Sequence, residues 1–334
     1  MAYGFAHFMV DASCYFILLG SNDSGNELLL HIVLYNVLAF GLQLPFGWMS
    51  DYMGKPVLIA CLGCMAICPG FFMFQQPLAA VILIGIGNAL FHVGGGTVAL
   101  NLRPGEAIFP GLFVAPGGLG LFAGSMLVQL QLYPVKLLVA LLFITGVVIL
   151  LLKQPAISYV KSKIYARNLV ITCIILLLVT IGIRSAVGLS IHYPWKTEIN
   201  LYAAFVVAIA LGKGAGGYLS DRFGWAKVTV AGLAASAIFI YAGVQYPIAG
   251  IAGIFLFNFS MPVTLTAISN LLPGRPGFSF GLTTIALLTG ALPALFKWDH
   301  FITGDACISL LVIISAITLL TGLLLYHRLF TRRT

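Results

Sequence analysis

Twelve long apolar stretches follow one another along this chain of 334 residues, with short polar connections between them. Each stretch is near the roughly 20 residues that a helix needs to cross a bilayer. The stretches are continuously apolar rather than alternating, which favours helices over a β-barrel, because each helix satisfies its own backbone hydrogen bonds in lipid. The sequence therefore predicts an all-α polytopic membrane protein. The approximate spans are 4–20, 27–48, 56–75, 77–99, 107–130, 134–152, 168–190, 200–219, 227–245, 248–270, 278–296 and 306–326.

The composition agrees with that architecture, since 60% of the residues are hydrophobic and only 8% are charged. A soluble domain carries roughly 25% charged residues, so most of this surface must face lipid. The composition therefore excludes a soluble enzyme and a nucleic-acid-binding module. The net charge of +8 is explained by how the basic residues are distributed across the membrane.

Basic residues concentrate on one side of the membrane. With a cytoplasmic N-terminus, twelve of the 17 lysines and arginines lie inside, two lie within spans, and Lys136, Lys196 and Lys297 lie outside. Because basic loops stay in the cytoplasm, we predict a multi-pass protein of the cell membrane with both termini cytoplasmic. Few residues precede the first span, so we expect no cleavable signal peptide, and the first helix itself would act as the insertion signal.

The chain repeats itself about its midpoint. The segments Gly47–Lys55 and Gly217–Gly224 share a G-x-x-S-D-x-x-G pattern at an offset of 170 residues. Arg103–Gly105 and Arg275–Gly277 form a second echo at an offset of 172. Two echoes at nearly one offset indicate two repeats of the same orientation. The predicted parts are an N-terminal six-helix bundle at 1–152, a cytoplasmic linker at 153–167 and a C-terminal six-helix bundle at 168–334.

The repeated pattern has a physical explanation. Its two glycines allow a tight cytoplasmic connection and a close approach between helices. We expect the aspartate either at the N-terminus of the following helix or facing the end of a neighbouring helix, where its negative charge is stabilised.

Both copies resemble the signature loop of the major facilitator superfamily, G-x-x-x-D-x-x-G-R/K. Lys55 completes the first copy, whereas Trp225 replaces the basic residue in the second, which weakens its basic cluster. The resemblance implies twelve helices in two six-helix repeats, and a gating role for these loops. The predicted gating residues are Gly47, Asp51, Gly54, Lys55, Gly217, Asp221, Arg222 and Gly224.

A narrower resemblance concerns three segments, Gly87–His92, Gly182–Gly188 and Leu272–Gly277. They are similar to the branch that contains fosmidomycin-resistance efflux proteins. That branch usually continues the histidine of helix four with Pro-Glu, but Val93 and Gly94 follow it here. The cargo of that branch therefore need not carry over.

Ionisable groups inside spans are candidates for function, because burying one in hydrocarbon costs about 2.5 to 3.5 kcal/mol. His7 and Asp11 lie four residues apart in the first span and share a face, where they could pair or exchange a proton. Asp11 is the only acid clearly inside the bilayer, so we predict that it carries a proton, with a structural hydrogen-bonding role as the alternative. For His7, an interfacial structural role is the alternative to proton coupling.

The superfamily resemblance also implies that helices one, four, seven and ten line a central cavity. Their polar residues include Asn88, His92, Arg184 and Asn258, which we predict to bind substrate, and His92 is also a candidate for proton coupling. Arg184 would contact an anionic group of the cargo. Its alternative is to snorkel towards the external face, because only about 12 Å of helix separates it from the next polar turn.

Other patterns have structural explanations. Cys61, Cys64 and Cys68 share a face without a histidine or an acid, which favours packing over metal binding. The glycines at 94–96 and 117–120 follow no strand and precede no Lys-Ser/Thr, so they favour close helix crossings over phosphate binding. We predict no metal and no cofactor.

These observations favour a secondary active transporter that moves a small molecule, in our reading an organic anion, by proton-coupled alternating access. Drug or toxic-metabolite efflux by proton antiport is the alternative. A channel is disfavoured because the sequence shows no ring of pore residues, and an intramembrane enzyme because acid, base and nucleophile form no recognisable motif. The expected partners are the small molecule, the proton and the lipid bilayer, with no nucleic acid, and we expect a monomer.

Overall fold

The computed structural model describes residues 1–21, 25–160, 166–296, 298 and 304–331, and these residues form helices and connections without a β-strand. Lys297 and residues 161–165 of the predicted linker lie outside the described ranges. The helices are α1 (Ala2–Gly20), α2 (Gly25–Gly41), α3 (Gln43–Met53), α4 (Pro56–Ile67), α5 (Pro77–Leu102), α6 (Ile108–Gln129), α7 (Val135–Leu151), α8 (Arg167–Ser190), α9 (Ile199–Phe223), α10 (Trp225–Ala242), α11 (Pro247–Phe257), α12 (Ser260–Leu271), α13 (Pro276–Leu295) and α14 (Asp305–Thr331).

The predicted helical membrane architecture is confirmed, because each of the twelve apolar stretches coincides with one helix or with two consecutive helical segments. Among the described residues, ten helical segments are long and apolar enough to cross a membrane, and α2–α3 and α11–α12 each count as one. The shorter apolar segments Pro56–Phe72 and Val135–Leu151 complete the set.

Two predicted spans are interrupted where a proline removes a helical hydrogen bond. Proline lacks an N–H group, and its ring clashes with the carbonyl four residues earlier. That carbonyl belongs to Gly41 for Pro45, and α2 ends at Gly41. It belongs to Asn258 for Pro262, and Asn258 lies between α11 and α12.

The ends of α3 and α9 differ from the sequence-based prediction. The sequence placed the segments 47–55 and 217–224 in loops, but α3 continues to Met53 and α9 continues to Phe223. The glycines and aspartates at the beginning of each segment therefore lie on the last turns of a helix. Only the glycine at the end of each segment lies in the turn itself.

The chain divides into two compact units. The beginning of α13 belongs to the first unit, and the beginning of α6 belongs to the second. The first unit comprises Met1–Pro104, Phe113–Tyr159 and Arg275–Ile285, and the second comprises Gly105–Leu112, Val160–Gly274 and Ala286–Thr334. The chain passes from the first unit to the second between Tyr159 and Val160, within the predicted linker. The predicted boundaries of the two six-helix bundles stay a prediction.

In the first unit, a row of glycines lets α6 lie directly against α1. A β-carbon on Gly120 would overlap the carbonyl of Phe8, and one on Gly124 would overlap the carbonyl of Ala12. Close contact of this kind requires small residues, as in other membrane helix pairs. The glycine row therefore brings α6 against the polar residues of α1.

In the second unit, α8 and α13 approach each other closely in the same way. A β-carbon on Gly290 would overlap the carbonyl of Gly182. Ser185 Oγ donates a hydrogen bond to the carbonyl of Leu287 at 2.7 Å. These contacts fix the turn of α8 that carries the next residue of interest, Arg184.

Candidate functional site

A polar cluster lies in the first unit, formed by His7 and Asp11 of α1 and by Asn88 and His92 of α5. We call these four residues the α1–α5 cluster. His7 Nε2 lies 3.1 Å from Asp11 Oδ2, and His92 Nε2 lies 3.7 Å from Asp11 Oδ1. Asn88 Nδ2 donates a hydrogen bond to Asp11 Oδ1 at 3.0 Å. The pairing of His7 with Asp11 that the sequence predicts is present, and α5 adds two partners.

The hydrogen bonds of the two histidines determine which ring nitrogens carry protons. His7 Nδ1 lies 2.8 Å from the carbonyl of Phe113, and His92 Nδ1 lies 2.9 Å from the carbonyl of Asn88. A carbonyl oxygen only accepts hydrogen bonds, so each Nδ1 carries a hydrogen and donates it. In two neutral imidazoles, both Nε2 atoms would then carry lone pairs.

Those two Nε2 atoms face each other at a distance of 2.8 Å. Two lone pairs repel at that distance, so the contact is favourable only when a proton, and with it a positive charge, is shared between the two nitrogens. The carboxylate of Asp11 beside the rings stabilises this charge. The geometry of the α1–α5 cluster therefore allows one proton to be shared between its two histidines, and a role in proton coupling stays a prediction.

The wall of this site is built from a glycine and aromatic rings. A β-carbon on Gly117 of α6 would overlap His7 Nε2 and lie 2.7 Å from Asp11 Oδ2. The rings of Phe91 and Phe113 lie 6.1 and 4.8 Å from the imidazole of His7, centroid to centroid. The missing side chain of Gly117 therefore lets His7 and Asp11 lie directly against α6, a role that the sequence did not reveal.

Arg184 of α8 is the buried charge of the second unit. Its relative exposure is 7%, and its Nε has no hydrogen-bond partner among the described residues. The guanidinium carbon lies 5.2 Å from the centroid of the Phe257 ring, within the range of a cation–π interaction. This burial disfavours snorkelling into water. Arg184 thus presents a buried guanidinium whose Nε donor has no hydrogen-bond partner among the described residues.

Asn258, the other predicted substrate-binding residue of the second unit, follows α11 and is buried. Its side-chain Nδ2 donates to the carbonyl of Ile254 at 2.8 Å. This bond is local to the break before α12, so the amide has a structural role. Substrate binding by Asn258 stays a prediction, as it does for Asn88, whose amide orients Asp11.

Asp51 of α3 caps a helix in the first unit. Its carboxylate accepts hydrogen bonds of 2.8 Å from the backbone N–H groups of Gly277 and Phe278, at the beginning of α13. The sequence left two positions open for this aspartate, and the structure shows the second, against the end of a neighbouring helix. Burial, and then the charge of Asp51, raises the pKa of Tyr159 to about 12.

Asp221 of α9 makes the equivalent interaction in the second unit. It accepts hydrogen bonds from the N–H groups of Ala107 and Ile108, at 2.9 and 2.8 Å, where α6 begins. The same carboxylate also accepts a hydrogen bond of 2.9 Å from the indole of Trp225. Trp225 was interpreted only as a departure from the signature, yet it provides Asp221 with a donor.

The glycines of the repeated segments have the two predicted properties. Gly54 and Gly224 have positive φ angles of 64° and 100° and end α3 and α9. A β-carbon on Gly47 would overlap the backbone of Gly277, and one on Gly217 would lie 2.6 Å from the carbonyl of residue 107. Turn formation and close approach are therefore carried by different glycines of each segment.

The basic residues of the two segments differ in their contacts. Lys55 is exposed and precedes the first turn of α4. Arg222 Nη1 donates a hydrogen bond of 3.0 Å to the hydroxyl of Tyr218, one helical turn earlier. Their gating role stays a prediction.

Comparisons with known proteins test the predicted resemblance to the major facilitator superfamily. No protein-family model matches the chain. A protein of Bacillus subtilis (strain 168), described as an uncharacterised MFS-type transporter, YfnC, is 25% identical over an alignment that covers 78% of this chain and 74% of that protein.

Solved structures with similar folds include the fucose:proton symporter FucP of E. coli, with a TM-score of 0.65 and 13% identity, covering 96% of this chain and 98% of FucP. A bacterial homologue of the iron transporter ferroportin has a TM-score of 0.65 and 14% identity, with coverages of 99% and 98%. At these identities the likeness shows the fold. The predicted resemblance to the major facilitator superfamily and the predicted fold are confirmed, and the fosmidomycin-resistance branch stays a prediction.

Proposed function

We propose that this chain, a transporter with the major facilitator fold, moves a small organic anion across the cell membrane by proton-coupled secondary transport. The observation that carries the proposal is the buried guanidinium of Arg184, whose Nε has no hydrogen-bond partner among the described residues. A guanidinium stays charged in a protein, so its burial within a span requires a partner. An anionic cargo would provide that partner.

The shape of the guanidinium narrows the class of cargo. Its planar fork of N–H groups suits a carboxylate or a phosphonate, which can accept two parallel hydrogen bonds. The ring of Phe257 lies 5.2 Å from the guanidinium carbon and offers no hydrogen-bond acceptor of the carboxylate kind, so such an acceptor would have to come from the cargo. A small molecule with one acidic group is therefore the cargo that Arg184 supports.

The α1–α5 cluster supports a proton as the coupling ion. When the proton between His7 and His92 leaves, two lone pairs face each other at 2.8 Å beside the carboxylate of Asp11. That arrangement is unfavourable, so the contact between α1 and α5 would relax. Proton occupancy would thus shift the population between the states of an alternating-access cycle.

The proposed arrangement in the cell is a monomer that crosses the membrane several times with both termini cytoplasmic, as the distribution of basic residues predicts. Efflux by proton antiport is the alternative direction of coupling, and the segments that resemble fosmidomycin-resistance proteins favour it. In a symporter, proton and anion favour each other's binding, whereas in an exchanger they compete. The dependence of anion affinity on pH, measured with an anion of constant charge, separates the two directions.

The experiment begins with a thermal unfolding screen of the purified protein against carboxylates, sulfonates and phosphonates, including benzenesulfonate and fosmidomycin. A ligand of the folded state raises the midpoint, because it stabilises that state by RT ln(1 + [L]/Kd). We expect a stabilising anion to accumulate in proteoliposomes against its gradient when a pH gradient is imposed. Equilibration without accumulation, in both directions of the pH gradient, would contradict proton coupling.

A further inference from the structure

The donor atoms of the α1–α5 cluster suit a metal ion as well as a proton. We propose that a divalent transition-metal ion of the Zn²⁺ or Co²⁺ type binds between His7 Nε2, His92 Nε2 and a carboxylate oxygen of Asp11. The sequence predicted no metal site, and only Cys61, Cys64 and Cys68 were considered there as ligands.

The distances match such an ion. The three residues can each offer one ligand atom, with all of these atoms within 4.8 Å of one another. The pairs of atoms described above are separated by 2.8, 3.1 and 3.7 Å. A tetrahedral zinc ion with bonds of about 2.1 Å holds its ligands about 3.4 Å apart. Movements of a few tenths of an ångström would therefore bring the three ligands into position.

The hydrogen bonds that hold the three proposed ligands are of the kind found around bound metal ions. Histidines that bind a metal usually donate the other ring N–H to a carbonyl or a carboxylate, which orients the ring. Here both Nδ1 atoms are held in this way by the carbonyls of Phe113 and Asn88. The amide of Asn88 also orients the carboxylate of Asp11. All three ligands are thus fixed before an ion arrives.

The chemical nature of the ligands selects the kind of ion. Two imidazoles and one carboxylate favour zinc, cobalt, nickel or ferrous iron, whereas magnesium and calcium prefer a site made of oxygen atoms. Three protein ligands leave at least one coordination position for water or another small ligand. The missing side chain of Gly117 lets His7 Nε2 and Asp11 Oδ2 lie directly against α6, where a β-carbon would overlap the proposed ligand atoms.

Metal binding at the α1–α5 cluster does not depend on the proposed function. The first experiment titrates the purified full-length chain with Co²⁺, followed by its visible absorption, and with Zn²⁺, followed by calorimetry. We expect one ion per chain at this site.

Variants assign the ion to the cluster. His92→Gln should weaken binding more than about tenfold, the loss that outer-layer substitutions already cause at metal sites. Gly117→Ala should weaken it as well, because the new β-carbon would overlap His7 Nε2. Matched controls are His192→Gln, outside the cluster, and Gly214→Ala, where the nearest atom to a new β-carbon lies 3.8 Å away.

His92→Cys keeps the proposal testable if His92→Gln does not fold. This variant retains a metal ligand, so it should bind Co²⁺ and add the absorption of a thiolate–cobalt bond. Binding by His92→Gln as tight as in the parent, or a parent that binds no ion, would overturn the metal site.

The metal site and the proposed function can fail separately. If the parent binds no metal but accumulates an anion under a pH gradient in metal-free buffer, the metal site is wrong and the transport proposal stands. If Co²⁺ binds through His92 but no pH-driven accumulation occurs, the metal site stands and proton coupling is wrong.

Discussion

The two units hold their buried charges in opposite ways. In the first unit, the carboxylate of Asp11 is surrounded by His7, Asn88 and His92, and each of these side chains is oriented by a further contact. In the second unit, Arg184 packs against the ring of Phe257, and its Nε has no hydrogen-bond partner among the described residues. A satisfied polar network fixes its members and suits a small ion, whereas an unsatisfied buried charge favours a ligand that completes it.

The ends of the helices are alike in the two units, which makes the contrast in the membrane interior more informative. Asp51 and Asp221 each cap the first N–H groups of one helix, and each has a glycine with positive φ three residues later. The repeat thus preserves the helix-end contacts while the buried polar residues differ. This contrast underlies our assignment of ion coupling to one unit and anion binding to the other.

The largest effect is expected from Asp11→Asn. Asparagine keeps the size of the side chain but removes the negative charge that stabilises a cation between the two imidazoles. We expect accumulation driven by a pH gradient to be abolished in proteoliposomes while the thermal unfolding midpoint is maintained. Glu27→Gln, an exposed acid of α2, is the control. Accumulation by Asp11→Asn at the parent level would reject Asp11 as part of the coupling site.

Substitution of Arg184 tests the other side of the comparison. Arg184→Gln should weaken anion binding about 10- to 100-fold, since a hydrogen bond to a charged group contributes roughly 1.5 to 3 kcal/mol. Arg184→Lys should keep the charge but lose much of the affinity, because lysine lacks the planar fork. Equilibrium binding of the anion found in the thermal screen measures both, with exposed Arg167→Gln of the same helix as the control. If Arg184→Gln binds the anion as tightly as the parent, Arg184 does not contact the anion and its role is structural.

Asp51→Ala and Asp221→Ala should each slow transport, by similar factors that are smaller than the effects above. A carboxylate at a helix N-terminus contributes about 0.3 to 1 kcal/mol, so each variant should slow turnover up to about fivefold. Anion affinity should change less than turnover, because neither carboxylate lies in the polar cluster or beside Arg184. Initial uptake rates and equilibrium binding, measured on the same preparations, separate the two effects. A tenfold loss of affinity with turnover preserved would show that the gating assignment is wrong.

The smallest effect is expected from Trp225→Phe. This change removes the indole N–H that bonds to Asp221 but keeps a ring against Tyr326. The lost hydrogen bond contributes about 0.5 to 1.5 kcal/mol, which corresponds to a decrease of about 2 °C in the unfolding midpoint. Trp48→Phe, at an exposed tryptophan of α3, is the matched control. An equal decrease in both variants would mean that the bond to Asp221 contributes no stability.

Much of the fold could be predicted because hydrophobic length is a local property of the sequence. The pairing of His7 with Asp11 was also local, since four residues make about one helical turn. Pro45 and Pro262 indicate the helix breaks at Gly41 and Asn258. Hydropathy alone did not show these breaks, because both prolines lie within apolar stretches.

The remainder of the site depends on contacts between distant segments. His92 meets Asp11 only because α1 and α5 pack together, and Gly117 meets them only because its own helix lies against α1. The directions of the histidine rings depend on the carbonyls of Phe113 and Asn88, which no sequence pattern specifies. The donor role of Trp225 could have been found, since it follows Asp221 by only four residues, across the turn at Gly224.

The most direct measurement of our central claim is the pH inside proteoliposomes during anion uptake, recorded with an enclosed fluorescent dye. The anion should be a sulfonate or phosphonate selected by the thermal screen, so that it does not cross the membrane as a neutral acid. We predict that its addition changes the internal pH in vesicles with the parent protein, and that Asp11→Asn and Arg184→Gln each abolish the change. Uptake of the anion by the parent without any change in internal pH would contradict proton-coupled transport.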